Sequence, residues 1–166
     1  LLDEDGGLLG VMGVSRDINR MKKDQEALRT SEERYRDLFE NATDLIQSVD
    51  PEGRFQYVNA AWRRALGYSE EKVKGLHLKD VVHPDHLKTY MARLRQVMRG
   101  EEVGMVRTVF VGRDGQEVFV EGTTNLRRVD GRAVATRSIF RDITHEQLAK
   151  QQVREHEAKL RALFES

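Results

Sequence analysis

The sequence carries one passage twice. Displaced by 125 positions, the first 41 residues align with the last 41 without a gap. Asp5-Gly6 falls on Asp130-Gly131, Arg16-Asp17-Ile18 on Arg141-Asp142-Ile143, and Leu38-Phe39-Glu40 on Leu163-Phe164-Glu165. Leu1, Arg29, Glu32 and Arg36 match Leu126, Arg154, Glu157 and Arg161. A dozen identities in one ungapped register identify a repeating unit and fix its length. The repeat divides the chain. Residues 1–18 read as the tail of a preceding unit and residues 19–41 as a helical connector. Residues 42–144 read as one whole domain, and residues 145–166 as a second connector leading toward a following domain. The expected parent is an array of such units.

Within 42–144 the elements follow from turn and cap residues. Leu45–Val49 and Phe55–Val58 are apolar runs on either side of Asp50-Pro51-Glu52-Gly53, which has the composition of a turn, so they read as a hairpin. Asn59 can cap a helix over Ala60–Leu66 that Gly67 closes. Ser69 with Glu70 and Glu71 starts another short helix ending at Gly75. His83-Pro84-Asp85 opens the longest core helix. There Leu87, Tyr90, Met91, Leu94, Val97 and Met98 fall on one face, and Gly100 ends it. Three strands follow, about Val103–Val111, Gln116–Arg127 and Arg132–Thr144. Arg113-Asp114-Gly115 and Val129-Asp130-Gly131 supply the turns between them. Helices segregated beside an antiparallel sheet make an α+β fold.

The connectors have a different pattern. Met21, Leu28 and Tyr35 recur every seven residues, as do Val153 and Leu160, with Leu163 and Phe164 beyond. About three heptads, with charged flanks and some polar seam positions, describe a short, imperfect coiled coil and hence a homodimer. The competing reading is a single amphipathic helix lying on its own domain.

Charge excludes some classes of partner. Lys+Arg and Asp+Glu are both 28, so the net charge is zero. Neither nucleic acid nor an anionic membrane surface is expected as a partner. The sequence has no cysteine, which removes disulfides, thiolate nucleophiles and Cys-ligated zinc, and agrees with a reducing cytoplasm. No run of about 18 apolar residues is present to span a membrane, and any anchor is expected outside these residues. No catalytic constellation is visible. Paired carboxylates in an apolar setting, a nucleophile with its base and a phosphate-binding loop are all missing. His145 and His156 lie in the connector with no ATP-binding sequence after them, and His156 pairs with Ser31 in the repeat.

The domain resembles the PAS superfamily. The residues that carry the likeness are Phe55-Gln56-Tyr57-Val58-Asn59-Ala60-Ala61-Trp62, Leu66-Gly67-Tyr68-Ser69-Glu70-Glu71, His83-Pro84-Asp85, Arg113-Asp114-Gly115 and Phe140-Arg141-Asp142-Ile143-Thr144. The resemblance implies a five-stranded antiparallel sheet with helices on one face, and a core that some members use as a ligand pocket. It also implies a sensory or relay module upstream of an output such as a histidine kinase or diguanylate cyclase. Family membership leaves the ligand open, because function resides in the site.

Strand alternation tests the cofactors the resemblance suggests. Thr136, Ser138 and Phe140 should point inward and Arg137, Ile139 and Arg141 outward, while Val118, Val120, Gly122 and Thr124 should face in. Relatives that bind flavin carry a pocket Gln where this chain has Phe140 and an Asn where it has Val120; the reactive Cys is missing too, so flavin is not expected. Haem needs an axial ligand. His86 is the nearest candidate, but the ligating His of oxygen-sensing relatives maps near Thr89, and haem is not expected. His83 with His86 reads as a helix start rather than a metal pair. The candidate pocket lining is Trp62, Tyr90, Leu94, Phe110, Val120, Gly122, Thr124 and Phe140. A small apolar ligand stays open as an alternative to a filled core, as does a purely structural dimerisation module. Asp142, Ile143 and Thr144 are expected to relay signals from the last strand into the outgoing helix. Met21, Leu28 and Tyr35 would form the dimer seam, with Ile139 helping to seat the incoming helix. Residues 8–18, the counterpart of the last strand, are expected to be extended and to pair with another chain.

Overall fold

The computed structural model describes residues 9–165. The chain divides into two units, one ending at Phe39 and one beginning at Glu40.

The first unit is helical. Helix α1 runs from Leu9 to Asn41, its last residues entering the second unit. This overturns the expected extended segment over 8–18 for every residue described. A lone strand leaves its N–H and C=O groups unpaired, whereas a helix satisfies them within the segment. That gain outweighs the cost of Gly10 and Gly13, about 1 kcal/mol each relative to Ala. Residue 8 lies outside the described residues. Along the helix Ile18, Met21, Leu28, Tyr35 and Leu38 are exposed.

The second unit has the element order β1 Leu45–Val49, β2 Phe55–Val58, α2 Ala60–Leu66, α3 Glu70–Val73, α4 Leu78–Val81, α5 Pro84–Met98, β3 Val106–Val111, β4 Glu117–Val129, β5 Arg132–Asp142 and α6 Thr144–Glu165. The strands form one antiparallel sheet in the order β2-β1-β5-β4-β3. The first and last strands therefore meet at its centre, Leu45 opposite Phe140.

Local chemistry fixes the turns. The Asp50 carboxylate accepts the N–H groups of Glu52 and Arg54 at 3.0 and 2.9 Å, closing the β1–β2 hairpin. Asn59, wholly buried, caps α2 by accepting from Trp62 N at 3.1 Å. The same side chain accepts from Ile46 N and donates to Asp44 O, tying the cap to β1. Helix α4 has no counterpart in the sequence reading. The His77 ring caps it by accepting from Lys79 N, and Asp80 accepts from His77 N in return. Leu78 and Val81 from this short turn are fully buried.

Strand ends differ from expectation in β3, β4 and β5, with β4 running on to Val129, two residues past Arg127. β3 begins at Val106 rather than Val103, because Gly104 turns left-handed (φ 64°). Strict alternation from the inward Val106 would put Val103 outside; the bend lets it pack on the core instead. β5 ends at Asp142 because Thr144 N–H bonds to the Asp142 carboxylate and starts α6.

The core lies between the sheet and α2–α5. Trp62, Leu66, Leu78, Phe110, Val120 and Phe140 are fully buried there. Phe110 and Phe140 meet edge to face at 5.3 Å, and Tyr90 stands against Phe110 at 6.3 Å.

Candidate functional site

The core is crossed by a chain of polar side chains. Gln47 on β1 shares a strand face with Leu45 and Val49, and all three are buried. Its carbonyl accepts from Trp62 Nε1 at 2.9 Å, and its amide nitrogen donates to the Tyr90 hydroxyl at 3.1 Å. Tyr90 also bonds Ser138. Ser138 and Thr124 share a hydrogen bond of 2.9 Å between hydroxyls. The chain thus runs from α2 through β1, α5 and β5 to β4. Burial, above all, holds the Tyr90 phenol far above its ordinary range, against the opposing pull of its bonds to Ser138 and Gln47. The phenol is a neutral donor and acceptor, not an acid–base group at physiological pH.

A cavity of about 10 Å³ lies at the Tyr90 end of this chain, lined by Tyr90, Arg93, Leu94, Val103, Thr124 and Thr136 among others. It has room for about one water. Outside it an open groove of about 380 Å³ runs between the loop after α5 and the overhanging part of β4. Of the pocket residues named from sequence, Tyr90, Leu94 and Thr124 line the cavity. Trp62, Phe110, Val120 and Phe140 fill the closed core. Gly122 is buried where a Cβ would strike the backbone of Ile139, so its missing side chain allows β4 and β5 to approach. Thr108, on the core-facing side of β3 with Val106 and Phe110, keeps a buried hydroxyl with no hydrogen-bond partner in the protein.

A flavin or haem does not fit these residues, since ligand pockets of that order need several hundred Å³. His86 is exposed, away from the core. His83 Nδ1 accepts from Asp85 N at 3.1 Å, which is the work of a helix cap. Among the described residues no three His, Asp or Glu side chains are grouped to hold a metal.

The second polar centre is the β5–α6 junction. The Asp142 carboxylate accepts from Thr144 N at 2.9 Å and from Thr144 Oγ1 at 2.5 Å. Thr144 Oγ1 accepts in turn from Phe119 N on β4 at 3.0 Å, and Ile143 N donates to Phe119 O at 2.7 Å. Ile143 is buried. On the outer sheet face Glu121 joins Arg107 at 3.0 Å and Arg141 at 2.7 Å, and Arg141 reaches Glu146 in the first turn of α6 at 3.7 Å. The hydrogen bond from Arg141, first, and that from Arg107 hold the Glu121 carboxyl below the usual range against the effect of burial. Ile139 lies on this face and is exposed. Sequence reading found the junction but missed Gln47 and Arg93.

Sheet order, one-sided helices and a central last strand that feeds an exit helix define a sensory module of the PAS fold. The family model described as the PAS fold matches residues 33–143, more than half of the chain, and the chain belongs to that family. It is 28% identical over 167 residues to the two-component sensor PprA of Pseudomonas aeruginosa, an alignment covering 96% of this chain and 18% of that protein. It is 26% identical over 162 residues to the sensor protein FixL of Bradyrhizobium diazoefficiens, covering 95% and 32%. The chain therefore spans well under half the length of these relatives. Among solved structures, the PAS domain of an HTR-like protein from Haloarcula marismortui superposes with a TM-score of 0.65 at 25% identity, covering 74% of this chain and 99% of that one. No helix among the described residues is long and apolar enough to cross a membrane.

Proposed function

We propose that this chain is a relay module of a longer cytoplasmic sensor kinase, passing a change in its core to an output domain through α6. The observation that carries the reading is the double role of Thr144. Its hydroxyl takes the Phe119 N–H of β4 and gives its own proton to Asp142, so one residue both pins the sheet and starts the outgoing helix. Ile143 roots the same junction in the core. A shift of β4 or β5 has to change the origin of α6.

The working unit is a parallel homodimer. Met21, Leu28 and Tyr35 form an exposed apolar row on α1, spaced by seven, and Val153 and Leu160 repeat it on α6. Such rows are covered in coiled coils. Ile139 is the apolar contribution of the outer sheet face to the pair. Asp142→Ala should cost about 1 kcal/mol as a lost helix cap and uncouple output in the longer protein. Kinase output that still follows the signal in this variant would remove the relay reading.

A further inference from the structure

We propose that residues 100–104 form a gate, and that a small monocarboxylate with a short apolar body enters through it and binds the guanidinium of Arg93. Arg93 lies on α5 at the edge of the core. It is half-buried, it lines the core cavity, and it enters no salt bridge among the described residues. Its hydrogen bond goes to a neutral acceptor, the Val103 carbonyl, at 3.2 Å. A partly desolvated cation held by a backbone carbonyl is an incomplete pair, since guanidinium prefers a carboxylate that can take two of its N–H groups.

The gate follows from what separates inside from outside. Val97, Val103 and Thr124 line both the cavity and the groove, so one layer of side chains divides them. Val103 sits in the segment between Gly100 (φ 85°) and Gly104 (φ 64°), two left-handed positions that suit glycine. The β3–β4 pairing ends at Val106 opposite Gly122, while β4 continues to Val129. Moving residues 100–104 outward therefore breaks no strand pairing. It strains the bonds of Gly100 N and Glu101 N to the end of α5 and breaks the Arg93–Val103 bond, and an entering carboxylate replaces the latter on the same nitrogen. Ligand entry and gate opening are thereby coupled.

The inner end selects the body of the ligand. Leu94, Val97 and Val106 give apolar walls, and Tyr90, Thr124 and Thr136 complete the lining, with the Tyr90 and Thr124 hydroxyls already engaged by Gln47 and Ser138. A short apolar chain of a few carbons suits such walls. This concerns the input and stands apart from the relay reading, which concerns the exit.

The test uses the whole chain, isotopically labelled, titrated with sodium butyrate and separately with 1-butanol. Butyrate should give saturable amide shifts at Tyr90, Val103 and Thr124, while 1-butanol at equal concentration should bind at least about tenfold more weakly. Arg93→Gln should weaken butyrate binding about tenfold or more, with Arg93→Lys keeping part of it. Asp142→Ala should leave it unchanged, which separates failure here from failure of the relay. Equal binding of butyrate to wild type and Arg93→Gln would overturn the proposal. So would equal binding of 1-butanol, or shifts confined to the Arg128 side of the groove. If Arg93→Gln does not fold, a reduced advantage of butyrate over 1-butanol in a folded Arg93→Lys supports the proposal, and an undiminished advantage there counts against it.

Discussion

Replacing Gln47 by Met tests whether the buried polar chain stabilises the domain or only tolerates burial. Met keeps the unbranched length of Gln, so packing changes little. Trp62 Nε1 loses its acceptor in a site where both residues are fully buried. Leaving one buried donor unsatisfied costs about 1–3 kcal/mol. Tyr90 loses one partner but keeps Ser138, about 0.5 kcal/mol more. Removing the need to bury an amide returns roughly 1 kcal/mol. The balance is a loss of about 1.5 kcal/mol, or roughly 6 °C in the unfolding midpoint for a domain of this size. Trp62 is the sole tryptophan of the sequence, so its fluorescence in urea reports this site directly. An unchanged or raised midpoint would refute the reasoning, because the network would then be worth no more than an apolar core.

Two further outcomes are expected. The Tyr90 phenol is raised by burial, so the folded state keeps its proton at pH values where the unfolded chain has lost it. Stability should be level below the ordinary tyrosine range and fall above about pH 10, by up to about 1.4 kcal/mol per pH unit from this one group; urea midpoints against pH should lose that component in Tyr90→Phe. Leu28→Glu places a charge in the α1 row and should convert a dimer to a monomer by light scattering, whereas a wild type already monomeric at tens of micromolar would count against the seam.

The fold was legible wherever a single residue type decides a turn or a cap. Asn59, Gly67, Ser69 and His83-Pro84 bound their helices as read, and the alternation assigned to β4 and β5 matches their burial. Helix α4 was not legible, since four residues carry no period and an imidazole is an uncommon cap. Gln47 was missed although the signal was present: Leu45, Gln47 and Val49 alternate onto one face, and a polar residue flanked by two buried ones has to be buried too. Arg93 gave no such signal, because a charged residue beside a helical apolar stripe ordinarily lies in water. Residues 16–18 show the limit of local reading. Arg-Asp-Ile is helical there, while the same tripeptide at 141–143 ends a strand and precedes a helix. β4 decides the second case by pairing with Arg141 and Asp142, and no property of the tripeptide itself does.

The place of β5 in the sheet has a mechanical consequence. It is the last strand to leave the ribosome, yet it lies between β1 and β4, so the sheet cannot close until the domain is fully synthesised. It is also the strand to which α6 is attached. A pull on α6 loads the ladders on both sides of β5 together, in shear, rather than peeling a strand from an edge. Torque or tension arriving by that helix meets the stiffest line in the domain, and the edge strands β2 and β3 are spared.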